Sequence, residues 1–165
     1  MIQSSRWLRR LAVAALIIAA PAATGPAAAD DRHAGYYYPH PQSSEIYYAR
    51  ATVLPEANRA RRLGFVTGIA AGQKQAPYPL QYVIFAKGEQ AEKLIVVALR
   101  DGYMDTIFRA RAFLAAMTSQ ARATPIFADM DADGDFTFFD MAVLLGFKQI
   151  TISDGNTFAH QIELK

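Results

Sequence analysis

The sequence contains no cysteine and only three histidines in 165 residues. The absence of cysteine excludes disulfides, thiolate metal sites, cysteine nucleophiles and a lipid-anchored amino terminus. The chain also lacks the G-x-S-x-G and S-x-x-K motifs that mark activated serine nucleophiles. With these signatures of nucleophilic catalysis missing, we expect a non-catalytic protein.

No apolar run is long enough to span a bilayer comfortably, since the longest at the amino terminus, Leu11–Ala20, has ten residues. Residues 6–10 include three arginines, and Ala27-Ala28-Ala29 forms an A-x-A-like cleavage site. We therefore interpret residues 1–29 as an export signal peptide and expect a periplasmic or secreted protein. An uncleaved membrane anchor is the less favoured alternative, and Arg9-Arg10 leaves the choice between Sec and twin-arginine export open.

Excess charge is also lacking in the mature chain. Without the three arginines of the signal, 14 Lys and Arg face 15 Asp and Glu, a net charge of −1. A near-neutral domain lacks the basic footprint of a nucleic-acid-binding protein. We expect no nucleic-acid partner, and no membrane association after signal cleavage.

Residues 30–45 form a segment rich in tyrosine and proline, DDRHAGYYYPHPQSSE. Its two prolines disfavour a helix and push the preceding residues into extended conformations. We predict an irregular arm here, in which Tyr36, Tyr37 and Tyr38 offer apolar rings with polar tips to an unidentified protein partner. Residues 46–165 are then one domain.

Several segments of this domain have recognisable periodicity. Residues 81–88 and 92–100 are apolar runs joined by GEQA, which predicts a hairpin of central strands. Residues 45–54 favour a strand and 55–62 a short helix, 64–70 is ambiguous, and 72–79 reads as a loop. A helix is predicted over 105–123 from apolar spacings of three and four. A second helix is predicted over 137–147, because Thr137 and Asp140 can form a capping box and Gly146 lies near its end.

A carboxy-terminal hairpin is predicted from Asp154-Gly155 between two alternating runs. On its last strand His160 shares a face with apolar residues, which is typical of a core histidine. We therefore predict an α+β fold, with a mainly antiparallel sheet packed by two helices.

The acidic segment DMDADGDFTFFD, residues 129–140, carries the clearest chemical signal in the chain. An EF-hand calcium loop takes oxygen ligands at positions 1, 3, 5, 7, 9 and 12 and glycine at position 6. Gly134 occupies position 6. The six ligand positions hold Asp129, Asp131, Asp133, Asp135 (through its backbone carbonyl), Thr137 and Asp140. The pattern predicts a single calcium loop.

Three features of this segment depart from the calcium pattern. Position 12 is aspartate instead of the longer glutamate, Pro125 interrupts the entering helix, and only one loop is present. The alternative is an Asp-Gly turn followed by a helix that Thr137 and Asp140 cap. Both interpretations stay open here.

HAGYYYP, GFVTG, YVIFAKG, FTFFD with LLGF, and TISDG with FAHQI form a further pattern over residues 33–163. As a set they resemble small exported alphaproteobacterial proteins often labelled molybdopterin-guanine dinucleotide biosynthesis protein A. That label implies a factor in guanylylation of the molybdenum cofactor. The sequence has no L-A-G-G-x-S-x-R-M-G nucleotide loop, so no residue role is carried over. We expect an exported binding or accessory protein, with the guanylylation factor as the alternative.

Overall fold

The structure is a computed structural model that describes residues 38–128 and 134–165, all within one compact unit spanning residues 34–165. In chain order its elements are β1 (Ser43–Tyr47), α1 (Arg59–Gln75), β2 (Tyr82–Lys87), β3 (Lys93–Ala98), α2 (Ile107–Arg122), α3 (Pro125–Ala128), α4 (Phe138–Leu144), β4 (Gln149–Ser153) and β5 (Ala159–Leu164).

The five strands form one mixed sheet in the order β1-β5-β4-β3-β2. The β2–β3 and β4–β5 hairpins are antiparallel, whereas β1 pairs with β5 and β3 with β4 in parallel. The predicted α+β class and carboxy-terminal hairpin are confirmed. Between the last two strands, the Asp154 carboxylate accepts backbone hydrogen bonds from residues 156–158, which fixes the turn.

The core lies between one face of the sheet and the helices. Alternate strand residues such as Val96, Ile150 and Ile162 pack against Phe65 of α1, Leu114 of α2 and Met141 of α4, all nearly inaccessible to solvent. The same alternation follows from strand geometry, in which every second side chain points to one face.

The first strand is shorter than the sequence predicts. It starts at Ser43, inside the segment expected to be irregular, and ends at Tyr47 instead of continuing to residue 54. The chain leaves the sheet because the backbone N–H of Arg50 donates to the Asp140 carboxylate (2.9 Å), and that of Leu54 to the Leu144 carbonyl (3.0 Å). These contacts attach residues 50–54 to α4.

Three local predictions are wrong in the region of helix α1. The predicted helix at 55–62, the ambiguous 64–70 and the predicted loop from residue 72 form one helix, Arg59–Gln75. Its first turn is capped by Asn58, whose side-chain oxygen accepts a hydrogen bond from Arg61 N (3.0 Å). Gly68 is tightly placed, because an added Cβ would lie 3.3 Å from the Thr124 Cβ.

Helix α4 matches its sequence signals at both ends. Thr137 and Asp140 form the predicted capping box. Gly146 takes a positive φ of 79° just past the helix, where glycine is favoured. The N–H of Gly146 donates to the Val143 carbonyl and that of Phe147 to the Ala142 carbonyl, which is the Schellman pattern.

Candidate functional site

The described part of the acidic segment contains Asp135, Thr137 and Asp140, while Asp129, Asp131 and Asp133 lie outside the described residues. Asp140 is fully buried. Its Oδ1 accepts from Arg50 N (2.9 Å), and its Oδ2 from Thr137 N (2.9 Å) and Thr137 Oγ1 (2.8 Å). Burial raises the pKa of Asp140, but these hydrogen bonds outweigh it and lower the pKa overall.

Two arginines hold the backbone on either side of Asp135. The Arg50 guanidinium donates to the Asp135 carbonyl and contacts Asp140 Oδ2 (3.3 Å). The Arg122 guanidinium donates to the carbonyls of Gly134 and Phe136. The Asp135 carbonyl and Asp140 are two of the predicted calcium ligands, so a calcium ion bound there competes with Arg50.

Within residues 38–128 and 134–165, no group of three or more metal-ligating His, Cys, Asp or Glu side chains occurs. Since half of the six proposed ligands fall in the undescribed interval, calcium binding stays a prediction. The predicted tyrosine arm is in a similar position. Tyr36 and Tyr37 lie outside the described residues, while Tyr38 is part-buried, and burial raises its pKa.

His160 is the centre of a second polar cluster, which sequence analysis did not anticipate. His160 is buried, as expected for a core histidine, and its Nδ1 lies 2.8 Å from Ser43 Oγ. Its Nε2 lies 3.1 Å from Glu45 Oε1 but is poorly aligned for a hydrogen bond. The Arg111 guanidinium, by donating hydrogen bonds to Glu45, holds the pKa of that carboxyl below its usual value.

This cluster contains a serine, a histidine and a glutamate, as a hydrolytic triad does. Its geometry, however, fits a structural role in which the side chains hold neighbouring elements together. Arg111 neutralises the carboxylate that would orient and support the imidazole. The imidazole itself is 2% exposed, so a substrate does not reach it. The cluster instead joins β1, β5 and α2 through side-chain contacts.

A pocket of about 410 Å³ lies between α1, α2 and the chain that leads into β2. Pockets that enclose small ligands have volumes of about 300–1,000 Å³. Gly72, Gln73 and Ala76 form one wall, residues 78–82 a second, and Gln120 with residues 123–124 a third. None of the described side chains that line it carries a charge.

Three aromatic rings support the inner side of this pocket. Tyr82 packs edge-on against Phe113 with ring centroids 4.6 Å apart, and Tyr103 packs on the same ring at 5.7 Å. The Tyr82 hydroxyl donates to Gln120 Oε1. Burial raises the pKa of Tyr82 to about 12, so this hydroxyl stays protonated and serves as a hydrogen-bond donor.

Gln73 lies beside the Tyr82 hydroxyl. Its Nε2 is buried and makes no well-aligned hydrogen bond among the described residues. A looser contact of the Gln73 amide with the Tyr82 hydroxyl partly offsets the rise in the pKa of that group. Because Nε2 is closed to solvent, this contact belongs to the packing of α1 against β2.

Small residues keep the α1 wall open. Gly68 and Gly72 lie four residues apart on one face of α1, and Ala76, the residue that caps its carboxy end, follows four residues later. An added Cβ at Gly72 would meet no heavy atom within 4 Å. The absence of a side chain at Gly72 therefore preserves pocket space, whereas Gly68 permits close packing against Thr124.

The described residues that line the pocket supply hydrogen-bonding groups and no charged side chain. Glutamine, threonine and tyrosine donate and accept hydrogen bonds, but none of the described lining residues is a carboxylate, histidine, lysine or cysteine. Sequence analysis missed this site because its walls come from distant segments. The spacing of Gly68, Gly72 and Ala76 was the available signal, and it has meaning only once α1 is recognised as a helix.

No described helix has the length and apolar character required to cross a membrane. Comparison with family models found no match, and comparisons with curated proteins and with solved structures found no significant match.

Proposed function

We propose that this protein is exported and then acts as a non-catalytic binding protein, whose ligand is a small molecule held in the pocket between α1 and α2. The observation that carries the proposal is the pocket of about 410 Å³, with an uncharged lining and open space at Gly72. A pocket lined by hydrogen-bonding and apolar groups, without acids, bases or nucleophiles among its described residues, is suited to recognition, since these groups do not move a proton at neutral pH.

The uncharged lining also bears on the guanylylation alternative. Nucleotide phosphates are usually held by Lys, Arg, a metal ion or the amino end of a helix. The described residues that line this pocket include no cationic side chain. A neutral ligand is therefore favoured over a nucleotide at this site.

The acidic segment and the tyrosine arm take accessory roles in this proposal. A calcium ion at residues 129–140 would stabilise the connection between α3 and α4. The arm at Tyr36–Tyr38 would contact a protein partner. Export predicts that the protein recovered from the periplasm or medium begins at Asp30, which amino-terminal sequencing measures. A chain that keeps residues 1–29 in the cytoplasm contradicts it.

Binding is tested by nuclear magnetic resonance of the exported protein with a mixture of neutral and charged aromatic fragments. We expect backbone amide shifts at Gly72, Tyr82 and Thr124, which line the pocket. In the Gly72→Leu variant the added side chain occupies the open space, and these shifts should disappear. Ala71→Leu, on an exposed position of the same helix, is the matched control. Unchanged pocket amides with every fragment would refute the binding function.

A further inference from the structure

We propose that residues 30–37, the first part of the tyrosine arm, dock across the face of the sheet opposite the helices, with the rings of Tyr36 and Tyr37 against Ile95 and Phe85. This inference goes beyond the proposed binding function, since it gives the arm a docking surface on its own domain. It rests on the burial of that face, the course of the chain before β1, and the length and charge of the arm.

The face opposite the helices, here called the second face, is defined by one row of residues across all five strands. Strand pairing places Phe85 of β2, Ile95 of β3, Thr151 of β4, Gln161 of β5 and Ser44 of β1 in register. Residues paired in register share a face of the sheet. The residues before and after this row on β3 and β4 belong to the core with the helices, so the row itself points the other way.

The middle of the second face is buried. Ile95 and Thr151 are each 1% exposed, although Ile95 is not part of the hydrophobic cluster that packs against the helices. Neighbouring strands shield a side chain only from the sides, and burial to this level requires a further layer of chain above the sheet. Because this burial occurs within one chain, a second copy of the protein is not required to explain it.

Two segments of the exported chain lie outside the described residues, 30–37 and 129–133. Residues 129–133 connect α3 to α4, and Phe127 and Phe138 of these helices lie in the core on the other side of the sheet. A five-residue connection between two elements on the helical side does not reach the middle of the second face. Residues 30–37 are therefore the segment that fits this layer.

The chain that leads into β1 already runs on the side of the second face. Residues 40–41 line a surface cavity together with Ser44 and Gln161, which both belong to the row. Tyr38, two residues earlier, is part-buried. Residues 30–37 continue directly from this position, at the β1 end of the row, and need only extend toward β2.

The length of the arm matches the distance to the apolar end of the row. Neighbouring strands lie about 4.8 Å apart, so about 14 Å separates Gln161 of β5 from Phe85 of β2. An extended chain advances about 3.3 Å per residue, so a segment of about four residues before His40 spans this distance. Residues 36–37 are therefore within reach of Ile95 and Phe85, where their rings can cover the most apolar part of the row.

The charges at the end of the arm complement those of the sheet. Lys87 and Lys93 are paired directly opposite each other on the second face, and like charges in this arrangement favour an acidic segment above them. Asp30 and Asp31 supply it. Docking through the ring faces leaves the tyrosine hydroxyls at the outer edge of the arm, available to the protein partner proposed above.

Nuclear Overhauser effects between isoleucine methyl groups and tyrosine rings test the docking in the exported protein. We expect contacts from the Ile95 methyl groups to the rings of Tyr36 or Tyr37, and loss of these contacts in Tyr36→Ser/Tyr37→Ser. Relaxation by a soluble nitroxide should then rise at Ile95 but not at Ile152, which faces the helices. Tyr48→Ser, at a tyrosine that is 73% exposed, is the matched control and should keep the Ile95 contacts.

The wild-type spectra decide the proposal even if the double variant does not fold. Absence of any contact between Ile95 and the two tyrosine rings overturns it. Contacts that arise only between differently labelled copies in a mixed sample assign the surface to a second copy and also overturn it. Neither result bears on the pocket between α1 and α2, whose function is tested separately by the fragment titration.

Discussion

Replacement of Asp140 tests whether this carboxylate is a structural centre of the fold. In Asp140→Ala, the backbone N–H groups of Arg50 and Thr137 both lose their acceptor. A buried donor without a partner costs about 1–3 kcal/mol, and loss of a helix cap costs about 1 kcal/mol. Because both donors are only part-buried, we expect a loss of about 3 kcal/mol from the free energy of unfolding.

Urea denaturation in metal-free buffer, followed by circular dichroism, measures this loss. Asp140→Asn keeps the side-chain volume and one acceptor, so we expect about half the effect. Asp101→Asn changes an exposed carboxylate and should stay within about 0.5 kcal/mol of wild type. A free energy of unfolding for Asp140→Ala within about 1 kcal/mol of wild type refutes the reasoning.

The same experiment separates a structural carboxylate from a calcium ligand. If the role of Asp140 is to hold Arg50 and Thr137, the destabilisation is present without metal. If its role is to bind calcium, the metal-free proteins differ little and the difference arises only when calcium is added. The hydrogen bonds of Asp140 lead us to expect the first result.

Three further predictions concern stability. Gly72→Leu should raise the melting temperature, since it adds a strong helix former in open space and gains up to about 1 kcal/mol; a lower melting temperature contradicts the open position. Calcium at 100 times its dissociation constant should add about 2.7 kcal/mol to the free energy of unfolding, and Asp129→Ala/Asp131→Ala should remove this increase. Equal melting temperatures with and without calcium would exclude a calcium loop at residues 129–140. Stability should fall in acid, because the unfolded chain takes up protons more readily than native carboxyls whose pKa is lowered. The stabilisation from these carboxyls is fully present above the ordinary carboxyl pKa and is lost as the pH falls through their lower folded-state pKa values. Urea midpoints that stay constant from about pH 6 to 3 would contradict this prediction. The carboxyls concerned are Glu45, Asp140 and Asp154.

Features set by local chemistry could be predicted from the sequence. Helix α2 follows its apolar spacing, and the capping box of Thr137 and Asp140 needs only residues three apart. The Asp154-Gly155 turn also forms within a few residues. Each of these signals acts over a single helical turn or a single hairpin, so the surrounding fold does not alter its meaning.

Features set by distant partners could not be predicted. Strand β2 lies at the sheet edge although its apolar sequence predicted a central strand. The parallel pairing of β1 with β5 joins the two ends of the domain. Helix α1 could not be predicted as one continuous helix through Gly68 and Gly72. The roles of these two glycines depend on Thr124 and on the pocket, neither of which is close in sequence.

The candidate sites differ in the same way. The sequence identified the acidic segment, but the structure adds that Arg50 and Arg122 hold its described half. It placed His160 on an apolar face, but Ser43 and Glu45 reach that residue only through the β1–β5 pairing. Nothing local linked Gln73 to Tyr82, since the two residues meet only when α1 packs on β2.

The most direct test of the account is the Gly72 backbone amide signal of the exported protein during titration with the neutral and charged aromatic fragments. We predict a saturable shift of this signal together with those of Tyr82 and Thr124, and no shift at Tyr82 and Thr124 in Gly72→Leu. Pocket amides that do not move with any fragment would contradict the central claim that this pocket is a binding site.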